Sequence, residues 1–255
     1  MSGIGFHIDG RTAILTLDNP SKLNALTIDM LDALEAHVQQ IERDSAIRSL
    51  VLTGAGDKAF CCGADIGAWG GLSPAEFARH WVRDGHRIFD RLARLGKPTI
   101  AAINGHAFGG GLELASCCDL RLMAPRATLA LPEARIGIVP GWSGTQRVAR
   151  LIPEGAVKEM ALFGRRIGAD RAVTLGYAAE LADDVMTRAL EIATEAEALS
   201  PRATEIAKNM IHAAVGEDSA AAIEALGSAA AAASADRDEG VAAFMEKRNP
   251  QFSGL

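Results

Sequence analysis

The chain has 255 residues, 49% hydrophobic and 23% charged, enough to bury a sizeable core in one large domain or in a domain with an appendage. Aromatics make up only 5%, so that core is expected to consist mainly of Ala, Leu, Ile and Val. A formal net charge of -6, with both signs interspersed, argues against a nucleic-acid or anionic-membrane surface. No apolar run approaches the roughly 20 residues that a spanning helix needs.

Thr12 to Leu17 reads as a strand closed by the turn Asp18-Asn19-Pro20-Ser21. Met30, Leu31, Leu34, Val38 and Ile41 recur at helical spacing and predict an amphipathic helix from Thr27 to Arg43. Ser49 to Thr53 is a short apolar strand. Ser73-Pro74-Ala75-Glu76 carries a capping box and predicts a helix that runs to Leu95, before Gly96 and Pro98. Thr99 to Ile103 reads as a buried strand leading into Gly105-His106-Ala107-Phe108-Gly109-Gly110-Gly111, and a helix starts within those glycines. Asp119 to Met123 and Thr128 to Leu131 are further strands. From Thr145 onward the pattern is helical, over 145–152, 154–162, 169–175, 184–199, 201–214, 219–233 and 236–248. This order predicts an α/β core over 1–199 and a helical region over 200–255. The Ala-rich stretch 220–235 has little apolar bulk and is expected to need a partner surface.

The four cysteines form two adjacent pairs, Cys61-Cys62 and Cys117-Cys118, without C-x-x-C spacing, and read as small buried side chains in a reducing compartment. The segment MSGIGFHIDGRTAILTLD lacks the basic start and apolar stretch of a signal peptide, so a cytoplasmic location is expected. The six histidines show no metal-binding spacing, so no metal is expected.

The glycines at 105–111 satisfy neither G-x-G-x-x-G nor a Walker A pattern. Two readings stay open for them: a plain tight turn, or a strand-to-helix turn whose backbone approaches a ligand and offers free N–H groups to an oxyanion. Gly141-Trp142-Ser143-Gly144 does not meet G-x-S-x-G, so Ser143 is a poor nucleophile candidate. Two carboxylates stand out. Glu113 lies between Leu112 and Leu114 just past the glycines, and Glu133 follows Leu131-Pro132. Each is a structural ion-pair partner or half of an acid–base pair; a spacing of 20 residues does not show whether they converge.

The stretch from Lys97 to Ala115, KPTIAAINGHAFGGGLELA, resembles the enoyl-CoA hydratase/isomerase (crotonase) signature. The similarity continues through Leu131-Pro132-Glu133, Gly137-Ile138-Val139-Pro140 and Gly144-Thr145-Gln146-Arg147. It extends upstream to 21–26 (SKLNAL) and 59–66 (AFCCGADI), and downstream to 240–248 (GVAAFMEKR). The resemblance therefore spans nearly the whole chain, in order. It implies a crotonase-like spiral of ββα repeats with a C-terminal helical region used in trimerisation, as a homotrimer or a dimer of trimers.

By the motif match, the backbone N–H groups of Ala64 and Gly110 would form an oxyanion hole for an acyl-CoA thioester, and Glu113 and Glu133 would be the two catalytic glutamates. Coenzyme A is then part of the substrate, and no separate cofactor is implied. Substrate contacts would come from Lys22, Leu23, Ala64, Asp65, Ile66, Gly109, Gly110, Pro132 and Trp142, with Phe244 and Lys247 able to come from a neighbouring subunit. Ile66, Trp69, Phe77, Trp81 and Trp142 are candidates for the acyl-site wall, ordinary core packing being the other reading of Phe77 and Trp81. Dienoyl-CoA isomerases and aromatic-acyl-CoA dehalogenases use an aspartate where this chain has Gly141, and simple enoyl-CoA isomerases usually lack the first glutamate. The resemblance thus implies hydration of a 2-enoyl-CoA. Its rivals are another crotonase reaction (isomerisation, or hydration of an aromatic or branched enoyl-CoA) and a non-catalytic CoA-ester-binding relative. Two departures stand out: Trp142-Ser143 replaces small residues, and Gly67 stands where a lysine is common.

Overall fold

Parallel strands that helices cover on both faces must be apolar throughout, and this fold is built around such strands. In the computed structural model, which describes residues 2–217 and 219–254 (of 219–224 and 226 the backbone alone), ten strands form two sheets. In chain order these are β1 (Gly3–Asp9), β2 (Thr12–Asp18), β3 (Ser49–Gly54), β4 (Ala59–Cys61), β5 (Thr99–Ile103), β6 (His106–Phe108), β7 (Leu120–Met123), β8 (Thr128–Ala130), β9 (Ile167–Gly168) and β10 (Glu180–Leu181). The larger sheet has the order β1-β2-β3-β5-β7-β10 and the smaller β4-β6-β8-β9. Antiparallel pairing occurs at β1–β2 and β8–β9, and the remaining neighbours are parallel. Every residue of β3 and β5 is buried.

The connectivity explains the two sheets. Each turn of the chain lays one strand in the larger sheet (β3, β5, β7) and the next in the smaller (β4, β6, β8), and then runs into helical segments. This is an α/β fold of ββα repeats with two mixed sheets and C-terminal helices. The helix Ile28–Arg43 is capped by Thr27, which accepts from the Met30 amide at 3.2 Å, and buries Met30, Leu31, Leu34, Val38 and Ile41. These are the residues whose spacing predicts the helix.

Ser73 and Glu76 form the expected capping box, but the helix it opens is not regular. Residues Phe77–Val82 form a π-helical segment before the α-helix Arg83–Ala93, which stops at Ala93 rather than Leu95. The extra residue per turn is a local widening of the kind found beside functional sites, and pattern matching at α-spacing does not register it. Expectation also missed β1, a largely exposed edge strand, and β4, β6, β9 and β10, which have at most three residues and so too few for an alternation to register.

The chain forms two compact units, Met1–Pro201 and Arg202–Leu255. The second contains the helix Pro201–Ala214 apart from its first residue, together with the helices Ser219–Ala232 and Ala235–Glu246, and exposes Met210, Ile211, Val215, Val241, Phe244 and Met245. Among the described residues no helix is long and apolar enough to cross a membrane. Cys61, Cys117 and Cys118 are buried, Cys62 is partly exposed, and none of the four is in a disulfide.

The tightest backbone approach is at Gly111, where an added Cβ would lie 2.0 Å from the Cys61 carbonyl oxygen. Gly111→Ala is expected to cost about 1–3 kcal/mol through overpacking, read as a lower urea midpoint; an unchanged midpoint would show that the β4 contact gives way freely.

Candidate active site

The β6–helix junction sets the geometry. Gly109 has φ 51 and ψ -124, a conformation open essentially to glycine alone, and its N–H closes the β6–β8 pairing on Ala130 at 2.9 Å. A Cβ on Gly109 would lie 2.9 Å from Glu133 Oε1, so this glycine is also needed for space. The next residue, Gly110, opens the short helix Gly110–Ala115, and its N–H therefore has no intrahelical acceptor.

Ala64 faces it from the loop after β4. Leu26 N–H donates to Gly63 O and Asp65 N–H to Leu26 O, both at 2.8 Å, in an isolated parallel bridge centred on Ala64. In that register the N–H of Ala64 points away from Leu26 and is not used by the bridge. A Cβ on Gly110 would lie 3.7 Å from Ala64 N, and one on Gly63 would lie 3.6 Å from Gly110 N. The two amide nitrogens are thus close neighbours.

Both amides border a partly open cavity of about 140 Å³. Glu113 and Glu133 line the same cavity, although both are nearly inaccessible, at 3% and 8% exposure. The short helix turns Glu113 inward, and its Oε1 accepts from Trp142 N–H at 2.8 Å and Gly144 N–H at 2.7 Å. Glu133 begins the 3-10 turn Glu133–Ile136, and its buried Oε2 has no hydrogen-bond partner within the described residues.

Burial raises the pKa of Glu113, opposed by the two amide donors and by the Arg147 guanidinium. Glu133 is pushed up to about 7, first by burial; the charge of Glu113 adds to the rise, and the Glu133 amide opposes it. The environments therefore differ in kind. Glu113 is supplied with donors that favour the anion, while Glu133 is left in conditions that favour the neutral acid.

Of the residues expected to form the site, Ala64, Ile66, Gly109, Gly110, Glu113, Pro132, Glu133 and Trp142 line this cavity, as do Trp69, Phe77 and Trp81. Lys22 and Asp65 do not. They pair with each other at 2.6 Å, which draws the Asp65 carboxyl below its usual range, and Asp65 caps the helix Ile66–Trp69 through Gly67 N–H at 3.1 Å. Leu23 is exposed next to Lys22. Phe244 and Lys247 belong to the second unit, where Phe244 is exposed and Lys247 ends the helix Ala235–Glu246 in a left-handed conformation.

Sequence reasoning missed Cys62, Gly63, Val82, Ile136, Ile138, Val139 and Gly141 as lining residues. The family-like segments 59–66 and 137–140 contain several of them, but nothing in residue type marked them as wall. His106 stacks on Phe108 and meets Thr128 Oγ1 at 3.0 Å, away from the lining residues.

A carboxyl whose folded pKa is raised binds its proton more tightly in the folded state. The stability it contributes is full below the ordinary carboxylate range and is lost as pH rises through about 7. Glu133→Gln removes that loss. Its unfolding free energy relative to the parent is expected to increase on the order of 1–3 kcal/mol from pH 5 to pH 8, measured by denaturant unfolding at each pH; a pH-independent difference would contradict the raised pKa.

Residues 8–254 match the family model described as enoyl-CoA hydratase/isomerase. A short-chain-enoyl-CoA hydratase of Clostridium acetobutylicum is 35% identical over 244 residues, 94% of this chain and 93% of the relative. A crotonyl-CoA hydratase of Syntrophomonas wolfei is 36% identical over 251 residues, covering 95% and 94%. The crystal structure of an enoyl-CoA hydratase from Bacillus anthracis superposes with a TM-score of 0.81 at 35% identity, covering 99% of both chains. With its ββα repeats, its two mixed sheets and this similarity along the whole length, the chain belongs to the enoyl-CoA hydratase/isomerase (crotonase) family.

Proposed function

We propose that the protein is a 2-enoyl-CoA hydratase, adding water across the 2,3 double bond of a short- or medium-chain acyl thioester. The observation that carries this reading is the placement of two unlike buried carboxylates on one cavity with two adjacent main-chain amides. The hydratases of Clostridium acetobutylicum and Syntrophomonas wolfei support it by similarity.

In this reading the thioester oxygen accepts from Ala64 N–H and Gly110 N–H. Polarisation makes C3 electrophilic, and the same donors hold the negative charge of the enolate as it forms. One such donor is typically worth about 3–4 kcal/mol in the transition state. Glu113, whose anion is stabilised by the amides of Trp142 and Gly144 against the cost of burial, takes a proton from water while the oxygen attacks C3. Glu133, biased toward its neutral form, gives its proton to C2 as the enolate collapses. One proton is taken and one given, so the proton inventory of the pair is restored by transfer back through solvent or product. No metal or redox step is needed for this balance.

Trp142 occupies the space beneath Gly110, where a Cβ would lie 2.9 Å from its ring, and this supports a compact acyl group. The wall of Trp69, Phe77, Trp81 and Trp142 favours, as a second reading, a flat aromatic enoyl-CoA undergoing the same hydration. The exposed apolar side chains of the second unit support the further proposal of a homotrimer or a dimer of trimers.

The test is loss of the enoyl-thioester absorbance of crotonyl-CoA and of a cinnamoyl-type CoA ester. Glu113→Gln and Glu133→Gln are each expected to lower kcat by about 10²–10⁴-fold with KM within a few-fold. Binding without turnover across both esters, or full activity in either variant, would overturn the assignment.

A further inference from the structure

Glu113 depends on a loop that has an unfavourable conformation at its centre. The two amides it accepts from belong to Trp142 and Gly144, and the residue between them, Ser143, has φ 75 and ψ 18. A side chain disfavours this left-handed region, and glycine tolerates it freely. Ser143 nonetheless occupies it, with its Oγ 2.7 Å from His86 Nδ1.

That hydrogen bond is the middle of three links between this loop and one helical segment. Trp142 Nε1 donates to Trp81 O at 3.1 Å, and Arg147 pairs with Asp90. Gly85 provides the room, since a Cβ there would lie 2.2 Å from Trp142 Nε1. The outer links hold Trp142 and Arg147; the strained residue itself is held by the His86 contact at its side chain and by Arg147 N–H, which donates to its carbonyl at 2.8 Å. A nucleophile–base pair is a poor reading of Ser143 and His86, because Ser143 is 7% exposed and is not among the residues lining the cavity.

We infer that Ser143 is a positioning residue: its hydrogen bond with His86 holds the loop in the left-handed conformation that aims Trp142 N–H and Gly144 N–H together at Glu113 Oε1. This inference rests on the proposed hydration, in which Glu113 handles the water. His86 should therefore matter only when residue 143 carries a side chain, because glycine holds the same backbone conformation without help.

The experiment is a double-mutant cycle on the full-length protein with crotonyl-CoA. Ser143→Ala and His86→Ala are each expected to lower kcat about tenfold with KM within twofold. Ser143→Gly should lose less than about threefold, and His86→Ala added to Ser143→Gly should cost less than about twofold more. Hydrogen–deuterium exchange of peptides covering residues 141–147 gives the same cycle without turnover. Exchange should quicken on His86→Ala in the parent and stay unchanged when that substitution is made in the Ser143→Gly background. A harmless His86→Ala, or an equal cost in both backgrounds, would overturn the inference. If the parent hydrates neither crotonyl-CoA nor the cinnamoyl-type ester, the hydratase reading falls, and the exchange cycle alone decides whether the clasp exists.

Discussion

An almost fully buried carboxylate needs donors, and the arrangement around Glu113 follows from meeting that need with main-chain amides. Ionising a carboxyl inside a protein is costly unless hydrogen bonds replace the lost water. Here the amides of Trp142 and Gly144 do so, 29 and 31 residues further along the chain. Bringing them in demands a close approach. A Cβ at Gly144 would lie 2.7 Å from Glu113 Cγ, so the donor loop reaches the carboxylate only because that position is bare. The same loop carries Trp142, whose ring packs against Trp81 and Phe89 with centroids 5.0 Å apart in each case and closes the cavity under Gly110. Holding Glu113 and shaping the cavity are therefore one structural task.

The second carboxylate takes its character first from burial and then from its neighbour. Glu133 has no donor comparable to those of Glu113, and the nearby charge of Glu113 adds to the effect of burial. Burial raises the pKa of both acids, but only Glu113 has a pair of amide donors from the facing loop to oppose the rise, an inequality that suits one acid to accept a proton and the other to give one. Division of roles needs no third residue type, only unequal access to amide donors. On the proposed reading, the thioester completes the set by using the amides of Ala64 and Gly110, the first spared by the register of its bridge and the second by its place at a helix start.

Much of the fold was legible where side chains carry the signal. The helix Ile28–Arg43 announces itself through five apolar residues at one spacing, and β3 and β5 through uninterrupted apolar runs. Short strands such as β4 and β6 are held by partners distant in sequence and carry no periodicity of their own. The π-helical segment was illegible for a related reason: Phe77 and Trp81 fit α-spacing equally well, and tertiary packing decides the wider turn. At the site, Glu113 and Glu133 stood out as acids among apolar neighbours, yet only the fold brings them to one cavity. Ser143 stood out only as a departure from the family pattern and a poor nucleophile candidate, and nothing marked its pairing with His86, since a left-handed backbone at a serine is invisible in its letter.

The central claim is that the amides of Ala64 and Gly110 jointly receive the acyl oxygen beside the two glutamates. The most direct measurement is a crystal structure of the protein with butyryl-CoA, a saturated ester that cannot be hydrated. The account predicts a thioester oxygen about 2.7–3.1 Å from both nitrogens, with C2 and C3 between the two carboxyl groups. An acyl carbonyl directed away from either amide, or a thioester bound outside this cavity, would contradict it.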